Sequence, residues 1–115
     1  MDTNPGIGML GRRLRWAVVG GGPGSYIGAM HRTAARLDDR YELVAGALSS
    51  DPERSARLGV ELGLAADRSY GSGLELLDGE AGRDDGADVV AIMTPNDTHH
   101  LFALGALDRG FDVVI

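Results

Sequence analysis

Short apolar runs and longer amphipathic stretches alternate along this chain. Trp16-Ala17-Val18-Val19 is an uninterrupted apolar run closed by glycine, the pattern of a strand buried on both faces of a parallel sheet. From Ser25 to Leu37, the residues Ile27, Met30, Ala34 and Leu37 recur at three- and four-residue spacing with His31, Arg32 and Arg36 among them, which predicts an amphipathic helix. Tyr41 to Leu48 predicts a second strand. Ser49-Ser50-Asp51-Pro52 then supplies an N-cap and a proline for the first helical position, so a second helix follows to about Leu62 and closes at Gly63.

A weak third strand is expected near Ser69-Tyr70, then a short helix from Leu74 to about Ala81 and a polar loop over Gly82 to Gly86. Asp88 to Thr94 gives the strongest strand signal, because Val89 to Met93 is apolar throughout and Pro95 cannot continue a central strand. A helix from Thr98 to Arg109 stops at Gly110, and Phe111 to Ile115 opens another strand. Strands alternating with helices are joined most economically as parallel strands with helical crossovers. The fold class expected is therefore α/β, a doubly wound parallel sheet. The last residues form a strand-like run without turn or cap, so the sheet is expected to be incomplete at the C-terminus.

With 115 residues, 43% hydrophobic and 24% charged, the chain has the length for one globular domain but not for a two-domain enzyme. Its net charge of -6 leaves no basic face to offset phosphate repulsion, which argues against nucleic acid and anionic membrane as partners. No cysteine is present, so disulfides, thiolate zinc sites and a cysteine nucleophile are excluded, and a reducing cytoplasm is the compartment expected. Residues 1–14 are expected as a flexible leader to a domain spanning 15–115. Arg12-Arg13 precedes only a short apolar run, whereas an export signal needs one of ~7–15 residues. No stretch approaches the ~20 apolar residues of a membrane span.

Candidate chemistry lies where strands meet helices. Gly20-Gly21-Gly22-Pro23-Gly24-Ser25-Tyr26-Ile27-Gly28 joins the first strand to the first helix. A pyrophosphate bound there needs backbone N–H groups at a helix N-terminus, and side chains in the turn would block its approach. Two registers fit. Gly20, Gly22 and Ser25 keep the G-x-G-x-x spacing with serine third, whereas Gly28 keeps the third glycine and lengthens the loop by three residues. At the end of the second strand, where NAD enzymes commonly carry an acid for the ribose hydroxyls, stand Leu48, Ser49 and Ser50. Ser49 and Ser50, with Arg54 one turn into the helix, have the chemistry for the 2′-phosphate of NADP, which a carboxylate would repel. The plainer alternative is that Ser50 or Asp51 caps the helix and Arg54 is solvated.

Thr94-Pro95-Asn96-Asp97-Thr98-His99-His100 occupies the carboxyl end of the strongest strand, where ligands of doubly wound sheets bind. Asn96 and His99 are placed to face a cofactor or substrate; the plainer reading of His99 is a solvated residue in a helix's first turn. His99 and His100 are adjacent and point in different directions, which argues against a metal site. His31 reads as a packing residue, Trp16 as core or interface, and Gly82 to Gly86 as a solvated connection.

Taken in order, the Gly-rich turn, Tyr41 to Ala45 running into Asp51 to Arg54, and Asp88-Val89-Val90 running into Thr94-Pro95-Asn96 and His99 resemble the N-terminal domain of the Gfo/Idh/MocA oxidoreductases. The likeness covers roughly residues 15–115, and the T-P-N-x-x-H element is its most specific part. It implies a Rossmann-type fold with a nicotinamide dinucleotide, NAD(P), as cofactor. The pyrophosphate role falls on Gly20, Gly22, Gly24 and Ser25, and the nicotinamide end on Thr94, Pro95, Asn96 and His99. The serines in place of the acid resemble NADP-using members and lean the expectation to NADP. The implied activity is hydride transfer between nicotinamide and a hydroxyl-bearing carbon of a sugar, cyclitol or related polyol, in a homo-oligomeric parent. In that family a Glu-Lys-Pro element after the next strand and a second domain carry catalytic and substrate residues, so no residue here is assigned catalysis. Two other classes compete: a non-catalytic dinucleotide-binding module, and a methyltransferase using S-adenosylmethionine, which leaves the T-P-N-x-x-H element unexplained.

Overall fold

The computed structural model describes residues 11–115. Strands β1 (Leu14–Gly20), β2 (Tyr41–Ala47), β3 (Val89–Met93) and β4 (Asp112–Val114) form one sheet in the order β2-β1-β3-β4. Every pairing is parallel. Helices α1 (Tyr26–Leu37), α2 (Pro52–Glu61), α3 (Gly73–Ala81) and α4 (His99–Asp108) lie between successive strands. The expected doubly wound α/β sheet of Rossmann type is the one found.

From β1 the chain moves to one side to form β2, then returns past β1 to form β3. Right-handed crossovers that progress in opposite directions must use opposite faces of the sheet. The core accordingly divides in two. Trp16, Val18 and Ala91 pack with Leu48 and Leu64 on one face, while Ala17, Val19, Val90 and Ile92 pack with Leu76, Leu77, Ala106 and Phe111 on the other. Alternate residues of β1 and β3 serve each layer, and both layers are apolar, which is why these strands read as continuous hydrophobic runs. The change of direction at β1 also makes the crest above its carboxyl end a topological switch point, the place where doubly wound sheets bind ligands.

Several boundaries differ from the sequence expectation for identifiable reasons. Of the leader expected over 1–14, residues 1–10 lie outside the described residues. Leu14 already belongs to β1, two residues ahead of the apolar run. At its foot Arg12 pairs with Asp88 at 2.7 Å and Arg13 with Asp39 at 2.6 Å. The Asp88 carboxylate also accepts the Arg15 N–H at 2.8 Å, so it ties the start of β1 to the start of β3. The bond from Arg12 holds the Asp88 carboxyl below its ordinary range, against the opposing effect of partial burial. The weak strand expected at Ser69-Tyr70 is a single parallel bridge between Ser69 and Gly46. It follows a 3₁₀ turn over Ala66–Arg68 and ends where Ser72 caps α3.

The loop after α3 is less solvent-governed than its composition implies. Glu80 is 1% exposed and Arg68 8%. The Glu80 carboxylate accepts hydrogen bonds from Arg68, from the Tyr70 hydroxyl at 2.7 Å and from the Ala87 N–H at 3.0 Å. Arg68 also donates to the Asp85 carbonyl at 3.0 Å. This buried set fastens the 82–87 segment to α3 and to Arg68. Trp16 is core, at 6% exposure. Among the described residues, no helix is long and apolar enough to cross a membrane.

Candidate functional site

The carboxyl ends of β1, β2 and β3 open into a cleft of about 340 Å³. Val19, Gly20 and Ala47 form its floor, and Leu48, Ser49 and Ser50 one side. Thr94, Pro95, Thr98 and Phe102 face them, and Ser72 and Gly73 bring the start of α3 to the same opening. The structure thus gathers Gly20, Ser49, Ser50, Thr94 and Pro95 into one lining. Gly22, Gly24 and Ser25 continue the turn that leaves Gly20, and Asn96 and His99 continue the segment that leaves Thr94-Pro95. Arg54 is exposed, one turn into α2, and outside this lining. A separate groove of about 200 Å³ on the α1 face holds Trp16 and His31 with Ala34, Ala35 and Val89 and none of the candidate residues.

The glycine turn has two different steric demands. Gly20 has φ +78°, and a Cβ there would lie 2.6 Å from the Met93 carbonyl oxygen, so both conformation and neighbour exclude a side chain. Gly28 is buried in the first turns of α1, where a Cβ would come 2.5 Å from the Gly21 carbonyl carbon and closer still to its oxygen. This close approach resolves the two registers. Gly28 is the glycine that lets the helix pack on the turn, and Ser25 is the N-cap, its Oγ accepting the Gly28 N–H at 3.1 Å. A Cβ at Gly22 would meet its nearest atom at an ordinary 3.4 Å. Its N–H and that of Gly24 find no acceptor among the described residues. The result is a helix N-terminus with unsatisfied donors at the switch point, the arrangement that accepts phosphate oxygens.

At the end of β2 the capping alternatives are settled. Asp51 is the N-cap of α2, accepting the Glu53 N–H at 3.1 Å, and the Ser49 hydroxyl accepts the Asp51 N–H at 3.1 Å. Ser50 is exposed, and Arg54 makes no ion pair among the described residues. Beyond β3, Pro95 leads into a 3₁₀ turn over Asn96–Thr98, so α4 starts at His99 rather than Thr98. Thr98 Oγ1 lies 2.6 Å from both the Pro95 carbonyl and Thr94 Oγ1. Its single proton serves one of them, the carbonyl, which can only accept, while Thr94 donates to it. His99 is not simply solvated: its Nε2 is 2.8 Å from the Thr94 carbonyl. A carbonyl only accepts, so the proton sits on Nε2 and Nδ1 is the ring position left over. Asn96 is exposed.

The model of the Gfo/Idh/MocA oxidoreductase family, NAD-binding Rossmann fold, matches residues 14–115. The chain belongs to this family. An uncharacterized oxidoreductase, YfiI, of Bacillus subtilis (strain 168) is 42% identical over 107 residues, 92% of this chain and 27% of its own length. A crystal structure of an oxidoreductase from Sinorhizobium meliloti superposes with TM-score 0.84 at 50% identity, over 89% of this chain and 28% of that one. An inositol dehydrogenase homolog from Azotobacter vinelandii, crystallised with NADH and myo-inositol, superposes with TM-score 0.85 at 44% identity, over 89% and 27%. The chain spans little more than a quarter of the length of these relatives. It corresponds to their dinucleotide-binding region, an NAD(P)-binding oxidoreductase domain.

Sequence reasoning passed over Ser72, Gly73, Thr98 and Phe102 at the cleft, and Arg32 beside the turn. Ser72 was legible: Ser72-Gly73-Leu74-Glu75 is a capping-box pattern, and Ser72 Oγ accepts the Glu75 N–H at 3.2 Å. Phe102 and Gly73 depend on each other across two helices, since a Cβ at Gly73 would lie 2.9 Å from Phe102 Cδ1 and closer still to Cε1. No spacing rule reports that contact.

Proposed function

We propose that this cleft binds the dinucleotide of a dehydrogenase, with the diphosphate on the turn from Gly20 through Gly22 and Gly24 to Ser25. The adenosine ribose then lies toward Ser49 and Ser50, and the nicotinamide toward Thr94, Pro95, Asn96 and His99. The observation that carries this reading is the convergence of a glycine-rich helix N-terminus with the ends of β2 and β3 at the switch point. In a longer parent, the nicotinamide supplies the hydride chemistry, exchanging hydride with a hydroxyl-bearing carbon of a sugar, cyclitol or related polyol. The myo-inositol bound by the Azotobacter relative supports that substrate class.

The chain's own part is to hold and orient the cofactor. Its eleven Lys-or-Arg positions are all arginine, and arginine does not exchange protons near neutral pH, so none of these eleven serves as general acid or base. We read the parent as a cytoplasmic homo-oligomer, following the cysteine-free composition and the family resemblance.

We further propose a preference for NADPH, because no carboxylate ends β2 and the exposed Arg54 lacks an ion-pair partner among the described residues. Equilibrium titrations with NADPH and NADH test both levels. NADPH is expected to bind about tenfold tighter, the ratio that one charge-assisted hydrogen bond of about 1.5 kcal/mol supplies, and Arg54→Ala should remove that advantage alone. Equal affinities would overturn the NADPH preference. Absence of binding to either would overturn the cofactor site.

A further inference from the structure

Arg32 lies on α1, eleven residues beyond Gly21, and turns back so that its Nη1 donates to the Gly21 carbonyl. That same carbonyl is the group against which Gly28 packs. It is therefore held from two directions by α1, through a close backbone approach and through a guanidinium. A trans peptide points its C=O and N–H to opposite sides. Fixing the Gly21 carbonyl toward α1 turns the Gly22 N–H away from the helix, to the open side of the turn, where it has no protein acceptor among the described residues.

Arg32 also has no carboxylate partner among the described residues. Arg12, Arg13, Arg68, Arg83 and Arg109 each pair with a carboxylate. Arg32 is half-buried, and its only acceptor among the described residues is the Gly21 carbonyl. Glu61 lines a groove together with Arg32 but is not within ion-pairing distance. Burial, and then the like charge of Arg36, push the Arg32 guanidinium below its ordinary value. An anion brought to the turn relieves both effects, because it favours the charged form.

We propose that Arg32 is a positioning residue of the dinucleotide site: it locks the Gly21 peptide so that the turn presents its N–H groups to a diphosphate, and it places an unneutralised positive charge beside them. This rests on the cofactor reading above and adds to it a residue outside the glycine motif. A residue that only braced α1 would affect folding and every ligand alike, whereas one that seats a diphosphate discriminates between ligands with and without that group.

The test uses the whole 115-residue chain with ADP-ribose, which carries the diphosphate, and adenosine, which lacks it. Arg32→Met is expected to weaken ADP-ribose about tenfold or more and to change adenosine affinity by less than about twofold, with a cooperative thermal transition retained. Arg32→Lys, which keeps the charge, should recover part of the loss. Unchanged ADP-ribose affinity in Arg32→Met would overturn the proposal, as would an equal loss for both ligands. If the unmutated chain binds adenosine and ADP-ribose equally weakly, it is the cofactor reading itself that fails.

Discussion

Replacing Gly28 by alanine puts a methyl group where three backbone atoms of Gly21 already stand. Its Cβ would lie 2.5 Å from the Gly21 carbonyl carbon and 2.9 Å from Gly21 Cα. Carbon atoms in contact prefer about 3.5 Å, so about 1 Å of separation must be created between α1 and the glycine turn. Neither atom belongs to a side chain that can rotate away. Overpacking of this kind costs about 1–3 kcal/mol, with the upper part of the range expected for a backbone neighbour. Alanine returns about 1 kcal/mol through its higher helix propensity. The net loss of about 2 kcal/mol should lower the midpoint of a circular-dichroism melt by about 8 °C for a domain of this size. The same displacement carries the α1 N-terminus away from the turn, so ADP-ribose affinity should fall with it. Gly82→Ala is the matched control. Its Cβ would meet the Asp78 carbonyl oxygen at an ordinary 3.7 Å with φ at -86°, so it should be neutral or gain about 0.5 kcal/mol from reduced unfolded-chain entropy. A Gly28→Ala variant melting at or above the unmutated chain would refute the packing argument.

Two further outcomes follow from the buried set behind the loop at 82–87. Glu80→Ala leaves Arg68, only 8% exposed, with only the longer pair to Asp85 at 3.5 Å, and should cost about 3 kcal/mol in urea denaturation; a loss below about 1 kcal/mol would show that Asp85 and water suffice in place of Glu80. Burial, and then the hydrogen bond to Glu80, raise the pKa of the Tyr70 phenol well above its ordinary value. The folded state then keeps a proton that the unfolded chain releases above about pH 10, so stability present below that pH falls as pH rises beyond it. Tyr70→Phe should flatten this alkaline decline, and an unchanged slope would contradict it.

The strands were legible because β1 and β3 are buried on both sides, which leaves an apolar run with no polar alternation to confuse with a helix. Pro95 ended β3 as a missing N–H must, and Asp51-Pro52 marked the start of α2. Other features were hidden for physical reasons. Leu14 extends β1 between Arg13, whose charge is paired with Asp39, and Arg15, whose backbone N–H is held by Asp88, so the foot of the strand looked like leader. Arg68 and Glu80 are residue types that default to solvent, and only their mutual pairing allows them inside.

At the site, the glycine turn and T-P-N-x-x-H mark the carboxyl ends of β1 and β3 in the sequence itself. What spacing did not reveal was how the turn is held. Gly28 and Arg32 act on the Gly21 carbonyl through a helix that folds back over its own approach, and that proximity exists only in three dimensions. His99 was read as facing a ligand or facing water. Its bond to the Thr94 carbonyl shows a third arrangement, in which one ring nitrogen fastens the segment and the other is left available.

The most direct test of the central claim is a titration of the ¹⁵N-labelled chain with NADPH, followed through its backbone amide resonances. The account predicts that the largest shifts fall on Gly22, Gly24 and Ser25, with others at Ser49, Ser50, Asn96 and His99, all around one cleft. Shifts confined to the groove beside Trp16 and His31, or no saturable shifts at all, would contradict it.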